Sequence, residues 1–541
     1  MPLAGYVVYI VKLLLFTAAA LLVCSAQATG DNFAGGVADG WMAAIARHVE
    51  RALAPAAYRS LVAFASCWEL MGFGCGSGPL TGHYLPAFTA PLWHWLTPGT
   101  VRLPPFGRGA TRTSGHVLLY AASCGALAVA AAGVAPERAS AAVCVALLAA
   151  VGLGDLPAFL AARPEHYGTV LLCVALADDD EAWLLGAKVV TTALWLWAGV
   201  AKLNLHFPSV VCAMLSNSPL VRSAALRRML YIAPPQDLRP SAIARLLAHA
   251  GIVAEVALPL ALWSPAEGVR QAAACGLTAF HLWIIANAPM GAPNEWNVVM
   301  IASVWSLFMR SGNLGVTQLG TLARANAMLA GALVLLCVVM PMFGNLFPSH
   351  CSFLLSMRYY AGNWPYSAWI FRDDKAQEKL ERIPKVSQLH AKQLKWLYGS
   401  DEIVAQVLRK VPAFRCMHVQ GRALGLLVPR ALKGMGKSVE RDFKFMDGEL
   451  VAGLCFGWNF GDGHLSSSRL LERVQHLCNF EAGELRHVSV ESQPLLGPAS
   501  LAYEIRDAKE GLLLDAGSLD VASLAALQPW HEGPFSGTKV A

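Results

Sequence analysis

The chain has 541 residues, of which 55% are hydrophobic and 14% charged, and its formal net charge is +6. Soluble globular chains carry about 25% charged residues, so this composition, with a mean hydropathy of +0.46, excludes an ordinary soluble protein. The charge is spread without basic runs, which excludes a nucleic-acid partner. The 13 cysteines include no CxxC pair, which argues against a zinc site.

The charge deficit is local: charges are sparse as far as Phe371 and return to soluble density from Arg372. The first apolar run, Tyr9 to Val23, precedes Ala26-Gln27-Ala28, which resembles a signal-peptidase site. No positive charge lies ahead of Lys12, and the run is long enough to span a bilayer. It reads as an uncleaved first transmembrane helix. Apolar stretches at 4–27, 59–76, 116–134, 139–162, 183–206, 243–263, 271–289, 297–311 and 325–344 predict about 8–9 spans. Segments 84–97 and 168–178 are short and fit re-entrant or interfacial elements.

Gly72, Gly74, Gly76 and Gly78 follow the second stretch and read as a tight turn, because the strand-then-helix setting of a phosphate loop is missing. Cys67 and Cys75 would pair only in an oxidising compartment. Cys144, Cys173, Cys212 and Cys337 read as small core residues. Thr97-Pro98-Gly99 and Leu103-Pro104-Pro105 mark another irregular connection. The 207–242 loop holds Arg222, Arg227, Arg228 and Arg239, whereas the next loop, near 264–270, offers Arg270. The positive-inside rule puts 207–242 in the cytoplasm. Counting onward puts the C-terminal region there too, provided 297–311 crosses.

Tyr359, Tyr360, Trp364, Tyr366 and Trp369 cluster between Arg358 and Arg372, as expected of a segment lying in the headgroup zone or of a packed collar for a soluble domain. From 373 to 435 the spacing is helical. Beyond Gly448, Glu449–Phe460, Leu485–Glu491 and Leu501–Ile505 read as strands, with an amphipathic helix over Ser468–Leu477. The expected organisation is a helical membrane domain over 1–350, an interfacial aromatic segment over 351–372 and a soluble α+β domain over 373–541.

Ionisable groups inside apolar spans point to function, since a charge at the bilayer centre costs about 2.5–3.5 kcal/mol on insertion scales. Lys202, Glu255 and His281 each lie in such a span. At ~1.5 Å rise per residue all three fall in the cytoplasmic half of the bilayer, which permits one shared pocket. A lysine desolvated beside Trp195 and Trp197 would be a usable base, with Glu255 or His281 as its partner. The bland alternatives are a snorkelling lysine, a helix-packing ion pair and a hydrogen-bonded core histidine. Lys188, fourteen residues before Lys202, lies on roughly the same helix face and would extend a polar stripe. In the C-terminal region Asp462 and His464 are candidates for a metal site or a base, although Asp462-Gly463 is first of all a turn signal. Glu491-Ser492-Gln493-Pro494 ends a predicted strand and would form a polar site edge.

Several stretches in order along the chain carry a resemblance. They are 72–82, Thr97-Pro98-Gly99-Thr100, His206-Phe207-Pro208, 356–364 and 458–465. Together they resemble a family of bacterial transmembrane proteins defined as a domain of unknown function. A second resemblance covers about 183–310. Ala198-Gly199-Val200-Ala201-Lys202-Leu203, followed by Glu255 and His281, is similar to the horizontally transferred transmembrane (HTTM) domain of vitamin K-dependent gamma-carboxylase and its bacterial relatives. By that likeness Lys202 takes the place of the base that deprotonates vitamin K hydroquinone. The Trp- and Gly-containing sequence that comes after the lysine there is replaced here by Asn204-Leu205-His206-Phe207-Pro208.

The expectation is therefore an α-helical, HTTM-like polytopic protein of the cell (inner or plasma) membrane. It would be in contact with membrane lipids and carry a small α+β domain in the cytoplasm. Its role would be that of an enzyme acting on a lipid or quinone-like molecule with Lys202 as base. The alternative is a transporter or lipid-binding scaffold whose cytoplasmic domain binds partners.

Overall fold

The computed structural model describes residues 3–27, 41–74, 90–287, 294–312, 314–435, 443–460 and 462–529. Cys75, Gly76, Gly78, Gly461 and the first part of the 84–97 segment lie outside them. Among the described residues seven helices are long and apolar enough to cross a membrane: Val7–Ala26, Ser114–Ala132, Glu137–Gly154, Asp180–Ala201, Ala242–Ala261, Glu267–Ala286 and Ala327–Leu346. The predicted 59–76 and 297–311 stretches form shorter helices, Pro55–Leu70 and Asn294–Ser303, the latter continuing as a π-helical turn to Met309. The short 168–178 segment contains a helix, Thr169–Leu176, buried inside the bundle.

Local signals start and stop these helices. Asp179 accepts from the Ala182 N–H at 2.8 Å and Asn326 from the Leu329 N–H at 2.9 Å, each filling a donor that the first turn leaves open. Gly133 ends the Ser114–Ala132 helix in the left-handed conformation that suits glycine. Asp180–Ala201 is the central helix: 67% of its most apolar stretch is buried, against 22–28% for the other six. Those six direct residues such as Leu14, Leu118, Leu153, Leu246 and Met328 outward. So large an apolar exterior belongs against acyl chains rather than water.

The sheets are all antiparallel. β1 (Val101–Arg102) pairs with β2 (Ala110–Thr111), and β3 (Tyr231–Ala233) with β4 (Asp237–Pro240). The C-terminal sheet comprises β5 (Tyr366–Phe371), β6 (Lys444–Asp447), β7 (Leu485–Val490), β8 (Ser500–Asp507) and β9 (Leu513–Asp520), in the order β6-β5-β7-β8-β9. β5 is buried throughout and splits its side chains by the two-residue strand period. Tyr366, Ala368 and Ile370 pack with the Val419–Leu432 helix, while Trp369 and Phe371 join the core shared with the membrane helices.

Two features bear on the sequence expectation. Tyr366 and Trp369 are 3% and 0% exposed in β5, so their partners are protein, as a packed collar requires and a place in the headgroup zone does not. The stretch read as a strand from Glu449 folds as a helix, Gly448–Phe456, capped by Asp447 and closed by left-handed Gly457. Its short, wholly apolar run carries no period that separates helix from strand. The strands at β7 and β8 and the Ser468–Cys478 helix lie where predicted.

Candidate functional site

Lys202 ends the Asp180–Ala201 helix. Gly199, one turn earlier, lets the Ala242–Ala261 helix approach: a Cβ there would lie 2.8 Å from a Val256 methyl and 3.6 Å from the Glu255 Cβ. This close crossing joins Lys202 to Glu255. The lysine Nζ donates to both carboxylate oxygens, at 2.6 and 2.5 Å. Each side chain is only 7% exposed. The Phe207 ring lies 5.5 Å from Nζ. Asn204 shapes the break after Lys202: its Nδ2 donates to the Ala201 carbonyl, and its Oδ1 accepts from the N–H groups of His206 and Phe207. The Asn204–Pro208 stretch thus builds the end of this site.

His281 does not touch that pair. Its Nε2 accepts from the Trp195 indole at 2.9 Å and its Nδ1 donates to Asn297 Oδ1 at 2.7 Å. An indole can only donate, so this imidazole is neutral with its hydrogen on Nδ1. Trp195 is seven residues before Lys202, roughly 10 Å along the helix. Lys188 is separate again. It donates to the Leu314 carbonyl at 2.8 Å and lies within 6 Å of the Trp263 and Phe308 rings.

A second polar centre joins the bundle to the C-terminal region. Tyr359 donates to Glu165 and stacks on Trp296, ring centroids 4.9 Å apart. Arg163 lies 3.8 Å from Glu69 and 3.9 Å from Glu165, with the Phe460 ring 4.1 Å away over its guanidinium. The Trp296 indole donates to His166 Nδ1, so His166 is also neutral, with its hydrogen directed at Tyr58 Oη. Tyr58 donates to Ser303, which donates to the Val299 carbonyl. Arg163 has left-handed backbone at φ 54°, as do Met357 and Tyr360, which flank Arg358-Tyr359 in the sequence, at 52° and 42°. Such conformations cost about 1–3 kcal/mol each and persist only where surrounding packing holds them.

The Asp462–His464 candidate is a clamped ion pair. His464 faces Asp462 at 3.3 Å through Nδ1 and Glu491 at 3.0 Å through Nε2. Burial alone would favour neutral imidazole, but the Glu491 and Asp462 carboxylates outweigh it and hold His464 up at about 10. Burial likewise pushes Glu491 upward, and His464 overcomes this to hold it down at about 2. Asp462 is also held below the usual carboxylate range, by His464 against the effect of burial. Ser492 donates to Glu491 and accepts from Arg358, tying the 491–494 edge to the 352–364 loop. Gln493 extends that tie to Asn363 and His206. Among the described residues no group of three or more His, Cys, Asp or Glu is arranged to hold a metal ion.

Sequence reasoning missed Glu69, Arg163, Glu165, His166 and Glu295. Glu69 was detectable, as an acid inside the apolar run Cys67-Trp68-Glu69-Leu70-Met71. Arg163-Pro164-Glu165-His166 falls between the apolar stretches 139–162 and 168–178, where no element is predicted; Arg163 leads into a buried π-helical turn, Pro164–Gly168.

The family of transmembrane proteins of unknown function DUF3556 matches residues 1–539. The chain belongs to this family. It is accordingly a membrane-located transmembrane protein in contact with membrane lipids. No curated protein and no solved structure matches the chain.

Proposed function

We propose that the protein is a membrane enzyme acting on a lipid or quinone-like molecule, with Lys202 as its base and Glu255 and His281 as partners. The observation that carries this reading is the buried Lys202–Glu255 pair at the break of the central helix, beside outward-facing Leu203, Leu205 and Val253. A molecule entering from the acyl chains reaches Nζ by displacing one oxygen of Glu255. Proton abstraction then requires the proton of Lys202 to pass to Glu255, leaving the amine lone pair free. His281 stands apart from the pair, held as a neutral donor–acceptor by Trp195 and Asn297.

The completeness of the pair favours a second reading. With both carboxylate oxygens engaged, Lys202 and Glu255 also suit a helix clamp in a transporter or lipid-binding scaffold. In either case we assign the protein to the inner (plasma) membrane, with residues 373–541 as a cytoplasmic domain, on the strength of the arginines between Arg222 and Arg239. The test is to extract and identify small molecules that co-purify with the wild type and with Lys202→Ala. The enzyme reading expects one lipid or quinone class enriched with the wild type and lost from the variant. Identical extracts overturn it.

A further inference from the structure

The junction cluster carries more negative than positive charge. Glu69, Glu165 and Glu295 are 1%, 4% and 1% exposed, and Lys12 and Arg163 are 0% exposed. All five interact electrostatically around Glu69. His166 adds no charge, because the Trp296 indole occupies its Nδ1 as a donor. Three carboxylates thus face two cations in a buried setting, where a carboxylate without a close donor takes up a proton rather than remain ionised.

Hydrogen bonding points to the same residue. Among the described residues neither Glu69 oxygen has a hydrogen-bond partner, and Arg163 approaches only to 3.8 Å. The Tyr167 phenol, wholly buried and in electrostatic contact with Glu69, is likewise without a hydrogen-bond partner among them. An ionised carboxylate would draw short donors around itself. Glu165, by contrast, accepts from Tyr359. Gly74 presses on Glu69 from the turn side, where a Cβ would lie 2.1 Å from Oε2.

We infer that this cluster is a proton-binding site in which Glu69 carries the proton, facing Arg163, Glu165, Glu295, Lys12 and Tyr167. Loss of the proton leaves Glu69 as a carboxylate that draws Arg163 away from Glu165. The C-terminal domain registers the change through Phe460, over the Arg163 guanidinium, and Tyr359, bonded to Glu165. The site thereby couples protonation inside the membrane domain to the contact between the two parts of the chain.

The test is infrared difference spectroscopy on the full-length protein in detergent, in light and heavy water, across pH. The expected result is a protonated-carboxyl band at neutral pH that shifts in heavy water and disappears as pH rises. It is abolished by Glu69→Gln, displaced but retained in Glu69→Asp, and kept in Glu165→Gln. If Glu69→Gln does not fold, the wild-type band and its displacement in Glu69→Asp still decide. Absence of the band in the wild type at neutral pH overturns the inference. So does a band indifferent to both changes at position 69, or one that vanishes when sodium replaces choline, which would mean a metal cation in the proton's place.

Discussion

Removing one member of the Lys202–Glu255 pair should cost far more than removing both. Glu255→Leu strands an ammonium that is 7% exposed, with two hydrogen bonds of 2.5–2.6 Å lost and the Phe207 ring 5.5 Å away. Breaking a buried pair in this way costs about 3–5 kcal/mol, whereas replacing both members with apolar residues of similar volume is often neutral or stabilising. At about 1.4 kcal/mol per decade, the single variants should lose two or more orders of magnitude in folding equilibrium. The double variant Lys202→Met/Glu255→Leu should recover most of that loss. The assay is denaturant titration in mixed micelles, followed by the fluorescence of the 16 tryptophans, with the four proteins forming one double-mutant cycle. The reasoning is refuted if Glu255→Leu unfolds with the wild type, or if the double variant loses the sum of the two singles.

The C-terminal region supplies further expected outcomes. His464 is raised from 6.5 to about 10, so its ion pairs contribute fully below pH 6.5 and are lost as pH rises toward 10; unfolding midpoints should fall across that window in the wild type and stay flat in His464→Gln. Glu491, held at about 2, gives the opposite limb, with stability present above its ordinary value near 4.5 and lost as pH falls toward 2. Arg415→Met should destabilise by about 3–5 kcal/mol in the same titration, because it leaves Asp447 and Glu449, both bonded to that guanidinium at 2.5–2.6 Å, without their cation. Gly463→Ala should abolish monodisperse expression on size exclusion, since its Cβ would meet the Pro365 carbonyl oxygen at 2.0 Å.

The reach of sequence reasoning has physical limits. Span length and apolarity depend on the bilayer alone, so seven helices were visible from composition. Lys202, Glu255 and His281 stood out because a charge or imidazole in an apolar run is costly. Which of them meet depends on helix rotation and on the approach allowed at Gly199, which no linear pattern encodes; the structure joins Lys202 to Glu255 and gives His281 to Trp195 instead. The junction cluster was hidden for another reason. Arg163, Glu165 and His166 occupy a π-helical turn between apolar stretches, and their partners Tyr359 and Phe460 come from about 200–300 residues further along the chain. Asp462 and His464 drew notice as a metal or base candidate, but Glu491, which completes their clamp, is 27 residues away from His464 on the end of β7.

The most direct measurement on the Lys202 site uses the full-length protein in liposomes with a photoreactive lipid-soluble quinone, the adducts being mapped by peptide mass spectrometry. Adducts concentrated at 200–210 and 252–259, and reduced several-fold in Lys202→Ala, are the predicted result. Adducts spread evenly over outward residues such as Leu118, Leu153 and Met328, and indifferent to that substitution, would contradict it.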